Sequence, residues 1–190
     1  MGLIKNINEN IDISLLIDLL TSGDIEQIDL AYMLGHGQNI DIDALIEEIY
    51  YDIFTFIGLN ERQTRFLQRQ SILLDDKESK VKHKLLYIIN RKSWSVSGKD
   101  LLKIPKTIGY LTNTEVLFIN NNKLTKLPES FSNLKLLYKL NLVGNNFSEI
   151  PEVLYSLSDN LNFLYFNDNS LKVEQIQEMQ QNLPNTLITS

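Results

Sequence analysis

Leu117, Ile119, Asn122, Leu124, Leu127, Pro128, Phe131 and Leu134 return 23 residues later as Leu140, Leu142, Asn145, Phe147, Ile150, Pro151, Leu154 and Leu157. Agreement of this length at one offset marks a copied structural unit rather than a copied chemical site. A unit this short has no apolar face it can bury alone, so successive copies must stack and share one continuous core.

The period extends in both directions. One offset earlier stand Trp94, Val96, Leu101, Ile104, Pro105, Ile108 and Leu111, with Lys99 in the place of the asparagine. A step of 24 beyond Leu140 reaches Leu164, Phe166, Asn169 and Leu171, the extra residue falling within Ser158, Asp159 and Asn160. After Leu171 the unit changes. Glu174 replaces an aliphatic, and Val173 to Asn182 reads as an amphipathic helix through Val173, Ile176 and Met179, a closing turn. Leu187 then opens a further strand-like segment, and Ser190 is reached before the next core position. The repeats are expected at 91–113, 114–136, 137–160 and 161–184, followed by a strand remnant.

The spacing L-x-x-L-x-L-x-x-N-x-L resembles the leucine-rich repeat family. The resemblance implies an α/β solenoid of short parallel strands, with binding done by the strand surface on the concave side. It also implies a structural role for Asn122, Asn145 and Asn169, whose amides are able to satisfy inward-pointing backbone groups of the turn after each strand. Pro128 and Pro151, followed by Phe131 and Leu154, suit an outer segment with no strand ladder to break.

Residues 1–90 lack the repeat and show helical periodicity. Ser14 to Leu20 is a short apolar stretch. Asp24 with Gln27 has the form of a capping box ahead of Ile25, Ile28, Ala31 and Leu34, with Gly35 as a stop. Asp41 or Asp43 starts the most regular helix, in which Ile42, Leu45, Ile46, Ile49, Tyr50, Ile53 and Ile57 share a stripe opposite Glu47, Glu48, Tyr51, Asp52 and Thr55, ending at Gly58. Weaker helical patterns follow Asn60, through Phe66 and Leu67, and Asp76, through Val81, Leu85 and Ile88. A solenoid has an open end of core side chains and an unpaired strand edge that need covering, and these helices are expected to be its N-terminal cap. The low alanine and abundant Ile, Asn and Lys are similar to proteins of AT-rich bacterial genomes.

Charge is unevenly distributed. Residues 1–60 carry eleven acids and one base, residues 61–106 twelve bases and five acids, and the whole chain sums to −6. Arg62, Arg65 and Arg69 share one helical face, with Lys77, Lys80 and Lys84 on the next. Such faces are solvated, pair with acidic helices, or, as the alternative function, bind nucleic acid through residues 61–92. The acidic total and the scarcity of aromatics among these bases, Phe66 apart, argue against nucleic acid.

Catalytic arrangements are not legible. His36, between Gly35 and Gly37 in an expected loop, and His83, between two lysines, have no partners at ligand spacing, so no metal site follows. No glycine precedes a lysine in phosphate-loop form, and no cofactor is implied. Asp41/Asp43 and Glu47/Glu48 read as helix-start and solvated-face acids. Leucine-rich-repeat ubiquitin ligases of bacteria use a cysteine nucleophile, and this chain has zero cysteines. That composition also fits a cytoplasmic protein. No segment has the form of a signal peptide or a membrane span, and Asn6 stands where a myristoylation signal wants Ser or Thr.

Residues alternating with the core leucines are expected to form the binding surface: Ser93, Ser95 and Ser97 in the first repeat, then Val116, Phe118 and Asn120, then Lys139, Asn141 and Val143, then Phe163, Tyr165 and Asn167. Solvent-facing strand positions have no packing need for Val116, Phe118, Phe163 and Tyr165, whereas an interface uses aromatic anchors beside adaptable polar groups. The expected function is a non-enzymatic protein-interaction module. Its partner, which includes a second copy of the chain among the candidates, is not written in the sequence.

Overall fold

The computed structural model describes residues 12–22, 24–56 and 85–190. Arg62, Arg65, Arg69, Lys77, Lys80, Lys84, His83 and the starts of the helices expected after Asn60 and Asp76 lie outside them. Contacts gather the chain into two compact units, of which the second contains residues 91–190.

Helices α1 (Ile13–Thr21) and α2 (Ile25–Gly37) lie in the first unit, as does α3 (Ile42–Phe56) up to Tyr51, its end from Asp52 grouping with the second; each begins where an aspartate meets the free N–H groups of a first turn. The Asp12 carboxylate accepts from Ser14 N–H at 2.9 Å, Asp24 from Glu26 N–H at 2.8 Å and Asp41 from Ala44 N–H at 3.0 Å. The hydrogen bonds from Ser14 favour the ionised Asp12 carboxylate and lower its pKa from the usual value. Asp41 is therefore the cap of α3, while Asp43 accepts the Tyr32 hydroxyl at 2.9 Å. The α3 stripe is buried at Ile42, Ile46, Tyr50, Ile53 and Phe56, with Leu45 half-buried at its margin. Residues 85–89 are also helical and bury Leu85, Ile88 and Ile89.

Two expectations about α2 are corrected. Gly35 does not stop it; the helix continues to Gly37, and His36 lies in its last turn rather than in a loop. Gly35 is buried inside the helix because Ile42 packs directly on it, where a Cβ would collide with the isoleucine side chain. Close packing, not helix termination, explains this glycine. His36 stands edge-on to Tyr32, with ring centroids 6.4 Å apart.

In the second unit, β1 (Ser93–Ser95), β2 (Val116–Phe118), β3 (Lys139–Asn141), β4 (Phe163–Tyr165) and β5 (Leu187–Thr189) form one parallel sheet in chain order. The register follows the sequence period: Trp94, Leu117, Leu140, Leu164 and Ile188 pair side by side as one inward row. The segment at Leu187 is thus a paired fifth strand. Leu117, Leu140 and Leu164 are fully buried, each stabilising the unit by about 2 kcal/mol or more of apolar burial. Each of Pro105, Pro128 and Pro151 stands in extended backbone before a short 3-10 stretch, Lys106–Tyr110, Glu129–Asn133 and Glu152–Leu157. These stretches line up behind the strands and bury Ile108, Phe131 and Leu154. After β4 the pattern yields to α4 (Val173–Asn182), which buries Met179 and leaves Val173 exposed. Gln175 reaches back to accept from the Lys172 backbone N–H at 2.9 Å and donates to Ser148 O at 3.2 Å, fastening α4 to the preceding repeat.

The turn after each of β1 to β4 reverses through a left-handed residue. These are Gly98 (φ 64°), Asn121 (φ 55°), Gly144 (φ 66°) and Asp168 (φ 56°), all residue types that tolerate this region. The next residue in three of the four turns is the repeat asparagine. Asn122 Nδ2 donates to Val96 O at 2.8 Å and Ile119 O at 3.0 Å, while its Oδ1 accepts from Lys99 N and Leu101 N. Asn145 donates to Ile119 O and Leu142 O and accepts from Leu124 N; Asn169 donates to Leu142 O and Phe166 O and accepts from Phe147 N. Each amide thus ties one turn to the repeat before it. The first repeat, with Lys99, has no such amide of its own, and its turn is held by Asn122 from the next.

Candidate binding face

Because alternate strand residues point to opposite sides, fixing Leu117, Leu140 and Leu164 inward fixes their neighbours outward. Ser93, Val116, Lys139, Phe163 and Leu187 pair along one outward row, and Ser95, Phe118, Asn141, Tyr165 and Thr189 along the next. Val116, Phe118, Lys139, Asn141 and Tyr165 are half-buried by one another; Phe163 at 37% and Leu187 at 61% are exposed. The geometry therefore brings Val116, Phe118, Lys139, Asn141, Phe163 and Tyr165 together on one surface.

Asn120, Val143 and Asn167 lie just beyond the strand ends rather than within them. Their backbones work in the turns: Asn120 O accepts from Gly98 N at 3.0 Å, Val143 O from Asn121 N at 2.7 Å and Asn167 O from Gly144 N at 3.0 Å. The Asn120 side chain accepts from the Ser97 hydroxyl at 2.6 Å, and Asn141 Oδ1 accepts from Val143 N at 3.0 Å. All three remain half-buried beside the strand rows.

The relationship among the rings and Lys139 goes beyond alternation. Lys139 sits between two aromatic strands, its Nζ 5.8 Å from the Phe118 ring centre, 6.0 Å from Phe163 and 5.4 Å from Tyr165. Attraction between an ammonium and a ring face is about 0.5–1 kcal/mol at accessible sites, so three rings hold the lysine in place. At the start of β2, Glu115 is engaged by Lys92 at 2.7 Å, a contact that raises the Lys92 pKa.

Among the described residues no three His, Asp, Glu or Cys side chains converge as metal ligands, and no helix is long and apolar enough to cross a membrane. A shallow depression of about 580 Å³ lies where α2 meets α3, lined by Tyr32, His36, Asn39, Ile40, Asp41, Ile42 and Asp43.

A leucine rich repeat profile matches residues 95–147. A leucine-rich repeat protein of Leptospira interrogans is 30% identical to this chain, with a TM-score of 0.50, over 52% of this chain and 25% of that one. An internalin of Listeria monocytogenes is 20% identical with a TM-score of 0.48, over 75% and 44% of the two chains. A chain of the Drosophila melanogaster SNF/U2A′ complex is 20% identical with a TM-score of 0.42, over 54% and 62%. The latter two are likenesses of fold only. The chain spans a quarter of the length of the Leptospira protein and less than half of the internalin. A search of curated proteins gave no match. The sequence period and the parallel sheet built on it show that residues 91–190 form leucine-rich repeats, and in this half the chain is similar to proteins of the leucine-rich repeat family.

Proposed function

We propose that this protein is a non-catalytic interaction module whose partner is a protein docking on the outward rows of β1 to β5. Leucine-rich repeat proteins are in general protein-interaction modules, and the SNF/U2A′ neighbour is itself part of a complex. One observation carries the choice of face: Phe118, Phe163 and Tyr165 converge on strand positions that point away from the core. Rings at such positions add nothing to the leucine stack, whereas aromatic side chains are the residues that concentrate interface energy. A second copy of the chain is one candidate partner. The composition suits a cytoplasmic setting.

The test replaces Phe118 and Tyr165 together by serine. Capture of partners from the native host should be abolished while the thermal unfolding midpoint stays within a few degrees of the original, since truncating buried anchors costs about 2 kcal/mol or more of binding each. Unchanged capture would rule this face out. Binding of nucleic acid through residues 61–92 is the alternative, favoured by the twelve bases between 61 and 106.

A further inference from the structure

Lys139 is the one charged side chain in the two outward rows; every other member, from Ser93 to Thr189, is neutral. The chain as a whole is acidic, with a net charge of −6. That acidity resides mainly in residues 1–60, while on this otherwise neutral, partly aromatic face the only formal charge offered by the two rows is a single cation at the middle strand. It is flanked on both sides, by Phe118 of β2 and by Phe163 and Tyr165 of β4, within 5.4–6.0 Å.

The arrangement has two physical consequences. Held by three rings, the ammonium has already lost much of its rotamer freedom, so an anion that meets it costs little additional ordering. The rings also displace water from around it, and a charge pair formed in such surroundings is stronger than one in open solvent. A cationic partner is repelled by the same lysine. A nucleic acid strand would find rings on which to stack, but only one cation, where affinity for a phosphate chain comes from neutralising several phosphates in succession.

We propose that Lys139 reads an acidic side chain, Asp or Glu, in a partner segment whose neighbouring residues are apolar and seat against Phe118 on one side and Phe163 and Tyr165 on the other. This assignment rests on the strand-face reading above and adds the chemistry of the occupant. Strands in a sheet lie about 4.8 Å apart, so the three strands involved span about 10 Å, a distance covered by about three residues of extended chain. The recognised segment is correspondingly short, with its acid inside it.

Selection of random peptides displayed on phage against the immobilised full chain tests this directly. Enriched peptides should carry Asp or Glu with aliphatic or aromatic residues on both sides. For the most enriched peptide, synthesised and measured by fluorescence anisotropy, Lys139→Met should weaken binding by about tenfold or more, and Lys139→Arg should retain most of it. Exchanging the peptide's acid for its amide should weaken the original protein similarly and the Lys139→Met protein hardly at all, because the coupled pair is already broken. Enriched peptides without an acid, or equal binding by Lys139→Met, would overturn the carboxylate assignment. If the Phe118/Tyr165 double serine variant binds those same peptides like the original protein, the face itself is wrong. Enrichment of nothing, or tight salt-sensitive binding of a labelled oligouridine blocked by Lys139→Met, would also overturn the proposal.

Discussion

Asn122 and Asn145, one period apart, share a single oxygen: both side-chain amides donate to the carbonyl of Ile119, each at 3.0 Å. The same sharing recurs one repeat later, where Asn145 at 2.9 Å and Asn169 at 3.0 Å meet on Leu142 O. Each asparagine closes its own turn and clasps the one before, so the hydrogen bonds form a continuous line through the repeats. A carbonyl with two lone pairs can accept both bonds without competition.

Asn145→Ala removes two donors and an acceptor from a buried position and should destabilise the protein by about 1–3 kcal/mol. Asn146→Ala, at the exposed neighbouring position, should stay within about 0.5 kcal/mol. Urea unfolding of the two variants checks the difference; equal effects would contradict the amide line.

Left-handed turn residues should respond to branching rather than to polarity. Asn121→Val should cost about 1–2 kcal/mol, because a β-branched residue is strained at φ 55°, and Asn121→Gly should be tolerated. Gly144→Ala combines the same strain with a Cβ 2.5 Å from Asn121 Oδ1, and should be destabilising in the same assay.

Gly35 and Gly37 separate helix propensity from packing. Alanine is a better helix former than glycine by about 1 kcal/mol, so Gly37→Ala, with open space around it, should be stabilising or neutral. Gly35→Ala receives the same benefit but overpacks against Ile42, a cost of about 1–3 kcal/mol, and should be net destabilising. Thermal melts of both variants decide it.

Tyr155 provides a pH test of α4. Burial first, then the nearby Glu178 carboxylate 3.5 Å from its hydroxyl, raise its pKa above the usual tyrosine value near 10. A raised pKa in the folded state favours the neutral phenol, so its stabilising contribution is present below the unfolded pKa and is lost as pH rises through the folded one. Tyr155→Phe should therefore flatten the alkaline limb of the stability profile; an unchanged limb would refute this.

Nucleic acid binding through Arg62, Arg65, Arg69 and Lys80 would show micromolar or tighter affinity falling steeply with salt. No binding tighter than about 10⁻⁴ M at physiological salt is the expected result in a fluorescence titration with labelled duplex and single strands.

The repeat half was legible because its determinants are periodic and close in sequence. Leu117, Leu140 and Leu164 recur in step with the strands, and alternation then placed Val116, Phe118, Lys139, Asn141, Phe163 and Tyr165 outward. The gathering of three rings around Lys139 was not legible, since it depends on side chains from strands 21 to 26 residues away and on the rotamers they adopt. The left-handed positions have no residue signature in the sequence, because Gly98, Asn121, Gly144 and Asp168 share a backbone conformation rather than a residue type. Gly35 misled because a glycine near a helix end has the same letter whether it terminates the helix or admits Ile42.

Between Leu157 and Leu161 the chain holds three residues, Ser158, Asp159 and Asn160, where the preceding repeat holds two between Leu134 and Leu137, yet Phe163 still pairs with Lys139. Asp159 and Asn160 are exposed. Chain length in this bend is thus mechanically uncoupled from the strand register, which makes it a place to graft a fluorophore or affinity handle that leaves the recognition surface undisturbed.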